Sequence, residues 1–221
     1  MFILVRNAVQ YALLALLYQL AQSGASGGLV DLLILRDETG AYNGYSGDVS
    51  SIIAALGFIG GALAVWSTAK LLITKNKEDM HLSHLKKEGK AKYALLVATT
   101  IGAVIGFNLL FELLGVTNKS EAYTEVAAQQ YSAHFIVGIL VFGFISPIAE
   151  ELLFRGVIYG YLRRFMDIKL AIALSALIFG VYHMNYVQGI YGFLIGCLMA
   201  YAYEYFGEFK MAVFVHVASN V

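Results

Sequence analysis

The chain has 221 residues, of which 59% are hydrophobic and 14% charged, with a mean hydropathy of +0.70. Soluble domains carry about 25% charged residues, so this composition excludes an ordinary soluble enzyme, and the same hydrophobicity excludes a disordered chain. Lys+Arg and Asp+Glu are 15 each, which removes the basic field that nucleic acid would require. The single cysteine, Cys197, permits neither an internal disulfide nor a cysteine-based zinc site. A polytopic membrane protein is left. Its apolar runs are long and unbroken, as in helices, rather than alternating segments of about ten residues, as in barrels.

A membrane-crossing helix needs about 20 mostly apolar residues. In chain order, the candidate segments are residues 2–22, 49–73, 93–116, 131–162, 170–186, 189–205 and a short 211–221. The first, with Arg6 before it and Ala21, Ser23 and Ala25 after it, has the outline of a signal peptide and is read as a retained helix. Residues 28–36 are apolar but too short to span, and are read as an interfacial or re-entrant piece. The segment 131–162 is too long for one simple span and contains charges. The predicted fold is therefore all-α: a transmembrane helix bundle of about seven hydrophobic segments plus a short interfacial helix, in a single domain covering residues 1–221. No internal repeat or low-complexity tract interrupts it.

The cations set an orientation. Arg6, Lys70, Lys75, Lys77, Lys86, Lys87, Lys90, Lys92, Arg163, Arg164, Lys169 and Lys210 fall on one side, against Arg36 and Lys119 on the other. By the positive-inside rule the N-terminus is cytoplasmic. Residues 74–92, 163–169 and 207–210 are then cytoplasmic loops, and 23–48 and 117–130 face outside. The polar run 75–92 is read as a solvated connection resting on anionic lipid.

Ionisable residues at membrane depth are costly and mark function. The densest group is Glu150-Glu151-Leu152-Leu153-Phe154-Arg155, just after Pro147, the only proline. Successive helical residues turn by about 100°, so the two carboxylates face differently. Glu151 and Arg155 share a face in the favourable order for an ion pair, and Glu150 is left to face a cavity. Phe179 and His183 repeat the four-residue spacing, as do His216 and Asn220. Glu150 lies 13 residues before Arg163 and His183 lies 14 after Lys169, so both reach about 20 Å from the cytoplasmic boundary if helical. His216, six residues past Lys210, reaches only about 9 Å. It needs a tilted or kinked helix, or a water-filled funnel, to join them.

A carboxylate beside an imidazole can polarise water for general acid–base work, and a second imidazole with an amide can donate to an oxyanion. The same atoms of Glu150, His183 and His216 would also make a two-histidine, one-carboxylate zinc site with an open position. The residues alone leave both chemistries open.

Glu-Glu-x-x-x-Arg, Phe-x-x-x-His and His-x-x-x-Asn, in this order, resemble the CAAX-protease and bacteriocin-processing (CPBP, or Abi) family of intramembrane proteases. The resemblance covers residues 131–221 and rests on Glu150, Glu151, Arg155, Phe179, His183, His216 and Asn220. It implies an intramembrane endopeptidase acting on a membrane-associated protein or peptide. Glu150 and His183 would activate water, and His216 and Asn220 would form the oxyanion site. A divalent metal such as zinc is a possible cofactor of such enzymes, and Glu151, Arg155 and Phe179 have supporting places. The compact, loop-poor chain points to a bacterial plasma membrane. Two rival readings are a non-catalytic immunity or partner-binding protein and a transporter or proton pathway; the latter usually shows internal repeats.

Other motifs are read as structural. Gly44-Tyr45-Ser46-Gly47 matches a rhomboid-like Gly-x-Ser-Gly, but Ser46 or Asp48 is read as a helix cap. No His-Glu-x-x-His occurs. Asn118-Lys119-Ser120 fits a glycosylation sequon. His81 and His84 are read as solvated, and Glu112, His134 and Glu204 as hydrogen-bonding groups near span ends.

Overall fold

The computed structural model describes residues 2–36, 47–79, 90–117 and 120–221, which form helices and no strands. The readings of Gly44, Tyr45, Ser46, His81, His84, Asn118 and Lys119 concern positions outside the described residues. Among the described residues eight helices follow one another: α1 (Phe2–Arg36), α2 (Gly47–Asp79), α3 (Ala91–Leu113), α4 (Glu121–Tyr131), α5 (Phe135–Leu162), α6 (Ile168–Tyr182), α7 (Tyr186–Phe206) and α8 (Phe209–Asn220). Among the described residues, α2 through Asn76, α3, α5 and α7 are long and apolar enough to cross a bilayer, and α6, at 15 residues, is apolar but shorter. The chain is an all-α integral membrane protein.

Two expectations change. Residues 28–36 are not a separate interfacial piece, because α1 runs unbroken to Arg36. Gly24, Gly27 and Gly28 stand in open space within it. A helical glycine costs about 0.5–1 kcal/mol relative to alanine but does not by itself end a helix. The connection 117–130, expected as a plain outside loop, instead contains α4. Ser120 starts that helix by accepting from the Tyr123 amide at 3.2 Å, and no proline or glycine interrupts residues 121–131.

Boundaries elsewhere follow local chemistry. Asp167 caps α6 by accepting from the Lys169 and Leu170 amides. Asn185 caps α7 by accepting from Gln188 N at 2.9 Å. Gly207, at φ 65°, closes α7 in the left-handed conformation that a residue without Cβ adopts freely. Asp48 lies in the first turn of α2 and reaches across to α5, where it accepts from the His134 amide at 2.7 Å and meets the His134 ring at 2.6 Å.

The long α5 is not uniformly α-helical. Two π-helical stretches, Ile139–Ile145 and Leu152–Tyr159, flank an α-helical Ser146–Glu151 that holds Pro147 and both glutamates. Proline cannot donate to the preceding turn, and widened turns are one of the ways a helix absorbs that defect, often at functional sites. On its other side α5 lies close against α2. Asn76 Nδ2 donates to the Gly160 carbonyl at 3.0 Å, and a Cβ on Gly156 would sit 2.9 Å from the Ala69 Cβ. Small residues let membrane helices approach in this way. At the far end of α5, the buried Glu204 of α7 takes a hydrogen bond from Tyr159 and an ion pair from Arg163 at 3.1 Å. Burial pulls the Arg163 guanidinium down, but the hydrogen bond and charge of Glu204 outweigh it and hold it above its ordinary range.

Gly156→Leu is expected to wedge α2 from α5. A lower thermal unfolding midpoint in detergent, equivalent to roughly 1–3 kcal/mol of overpacking, is the outcome; an unchanged midpoint would show that the two helices do not meet there.

Candidate active site

Four helices bring the polar residues together. Glu150, Glu151 and Arg155 come from α5, Phe179 and His183 from the end of α6, Gly196 from α7, and His216 and Asn220 from α8. Glu151 and Arg155 have no exposed surface at all, and Glu150 and His216 are 6% and 4% exposed.

Glu151 is the shared partner. Its Oε1 accepts from Arg155 at 2.9 Å and meets His216 Nδ1 at 2.9 Å. Arg155 also donates to the Gly196 carbonyl at 2.8 Å. A Cβ on Gly196 would lie 3.0 Å from the same guanidinium nitrogen, so the absence of a side chain there admits the arginine to the α7 backbone. Phe179 closes the cluster. Arg155 lies 4.7 Å over its ring, and the His183 and His216 rings stand edge-on to it at 4.8 and 5.4 Å between centroids.

Glu150 is oriented differently. Ser146, one turn earlier, donates to its Oε1 at 2.6 Å, and its Oε2 lies 3.7 Å from His216 Nε2. His216 therefore bridges adjacent carboxylates, one at each ring nitrogen. His183 Nδ1 is 2.9 Å from the Phe179 carbonyl. A carbonyl only accepts, so Nδ1 carries the proton and the neutral ring keeps its lone pair on Nε2.

Glu150, His183, His216 and Asn220 line one cavity of about 670 Å³. Asn220 stands at its edge, more exposed, and donates to the Phe142 carbonyl of α5 at 3.0 Å. His216 reaches the site although α8 is only 12 residues long. The contact with Glu151 supplies the depth that spacing from Lys210 did not. Sequence reasoning missed Ser146, whose signal is its position four residues before Glu150, and the polar residues of α1 on the cavity wall.

Glu150, His183 and His216 carry donors that zinc accepts. Each has one atom engaged by the protein, on Ser146, Phe179 and Glu151, and keeps a second toward the cavity, an arrangement usual for metal ligands. Among the described residues no three His, Cys, Asp or Glu side chains converge closely enough to hold a metal ion.

The helical bundle thus places an acid and two imidazoles on one cavity. Residues 132–221 match the Rce1-like family, described as type II CAAX prenyl endopeptidase Rce1-like. The matched segment is the one that carries the three motifs; α1 to α4 lie outside it. No curated protein and no solved structure matches the chain.

Removing Arg155 leaves Glu151 charged and enclosed. Arg155→Ala is expected to cost about 3–5 kcal/mol of stability, read from unfolding in detergent. Arg155→Lys, which keeps the charge but loses the planar fork reaching both Glu151 and Gly196, should fall between wild type and alanine.

Proposed function

We propose that the protein is an intramembrane endopeptidase that hydrolyses a peptide bond of a membrane-associated protein or peptide with a water activated by Glu150 and His183. The observation that carries this reading is the convergence of Glu150, His183, His216 and Asn220 on one cavity. Ser146 occupies one Glu150 oxygen and leaves the other as the base. His183, with its tautomer set by Phe179, offers Nε2 to the same water. The water oxygen attacks the scissile carbonyl as its proton passes to Glu150. The carbonyl oxygen becomes the oxyanion, and the same proton then goes to the leaving amine as the C–N bond breaks. His216 Nε2 and the second Asn220 amide hydrogen are the oxyanion donors. Nε2 must carry a proton for that role, and Glu150 at 3.7 Å is placed to share one.

The paired Glu151 and Arg155 take no part in proton transfer; they hold His216. The clustering of Lys and Arg in alternate loops supports a cytoplasmic N-terminus, and a bacterial plasma membrane is the proposed location.

Comparative peptidomics of cells expressing wild type or variants tests the reading. Glu150→Gln and His183→Ala are expected to abolish the product peptides at normal protein abundance. His216→Ala or Asn220→Ala should slow product formation by roughly a hundredfold or more, as for the loss of one oxyanion donor. Products that persist in Glu150→Gln cells would leave the non-catalytic immunity or transport readings. Chelator treatment of purified protein, with metal analysis, tests the zinc alternative: loss of activity restored by zinc would replace the metal-free scheme.

A further inference from the structure

The family match begins at residue 132, yet part of the cavity wall comes from α1. Gln19 and Gln22 line the same cavity as Glu150. A carboxamide in an apolar bundle is costly unless hydrogen-bonded. The Tyr182 hydroxyl donates to Gln22 Oε1 at 2.9 Å. That bond engages the amide's acceptor end and leaves its two N–H donors for the cavity. Tyr182 adjoins His183 in sequence and is braced by the Phe154 ring, 5.1 Å away and steeply inclined.

The approach of α1 depends on glycines of α2. A Cβ on Gly57 would lie 2.8 Å from the Gln22 carbonyl oxygen, and one on Gly61 would lie 2.9 Å from the Tyr18 ring. These glycines therefore set how near Gln22 comes to the site. The same side-chain chemistry recurs around the cavity, on Asn108 of α3, Gln130 of α4 and Gln188 of α7, and among the described residues no Lys or Arg lines it. Neutral carboxamides both donate and accept, which matches the alternating N–H and C=O groups of an extended peptide.

With the peptidase reading as its basis, we infer that α1 is a substrate-holding wall of the site, on which the Gln22 carboxamide, locked by Tyr182, donates to a backbone carbonyl of the peptide lying across Glu150. Gln22 is thus a binding residue outside the matched segment, and Tyr182 is its positioning residue.

A photo-crosslinking amino acid placed at Gln22 of the full-length Glu150→Gln protein, in native membranes, reads this contact without requiring turnover. It is expected to capture the uncleaved forms of the peptides that the wild type processes, while the same probe at the outward-facing Leu16 captures lipid. Capture of lipid alone at Gln22 overturns the inference and leaves the peptidase reading standing. A peptidome unchanged by Glu150→Gln overturns the peptidase reading and this inference with it. On a synthetic copy of a captured peptide, Gln22→Ala should raise KM roughly tenfold with kcat within about twofold, as for loss of uniform binding. Tyr182→Phe, which keeps the ring against Phe154, should move KM in the same direction. A fall in kcat at unchanged KM in both variants would overturn the assignment.

Discussion

One buried carboxylate holds the C-terminal half together. Glu151 has no contact with solvent, yet it meets Arg155 on its own helix and His216 on α8. In an apolar bundle each of these groups alone would be expensive. Assembled, they partner one another through Glu151 Oε1, and Arg155 extends the connection to the α7 backbone at Gly196, while the buried Glu151 Oε2 and Arg155 Nε are left without a hydrogen-bond partner. Phe179 brings α6 to the same point through ring contacts. The relative register of α5, α6, α7 and α8 thus depends on a single ionic cluster. That explains why so costly a group is retained at the centre of the fold.

The cluster also separates structural work from chemistry. Adjacent residues on a helix point about 100° apart, so Glu151 can be consumed in the scaffold while Glu150 faces the cavity. His216 meets both carboxylates, with one nitrogen on the enclosed Glu151 and the other toward the cavity-facing Glu150. The π-helical stretches on either side of Ser146–Glu151 give this turn its own local geometry within an otherwise continuous helix. Pro147 is accommodated there, and Ser146 is placed one turn before Glu150 to hold it.

The helices before residue 132 are part of the site and not only a lipid anchor. α1 lies on a glycine-lined face of α2, and α2 lies in turn against α5 at Gly156 and Gly160. Polar side chains from α1, α3 and α4 therefore reach a cavity whose acid and imidazoles come from α5, α6 and α8. Close packing of small residues lets the front of the chain contribute side chains without contributing to the ionic cluster.

Composition determined that the chain is a membrane protein, because 14% charge cannot cover a soluble surface, and the length of its apolar runs determined that it is helical. Four-residue spacing alone showed which residues share a helix face: Glu151 with Arg155, Phe179 with His183, and His216 with Asn220. These are local properties, and a sequence displays local periodicity directly. Tertiary structure decided what periodicity cannot encode. It joined residues 28–36 to α1, made a helix of residues 121–131, and brought His216 to Glu151 despite its shallow count from Lys210. It also placed Ser146 on Glu150 and Gln22 on Tyr182. The last of these pairs spans most of the chain, and no repeat in sequence records it. Such contacts arise because buried polar groups must find partners wherever packing brings them, and packing is a property of the assembled bundle.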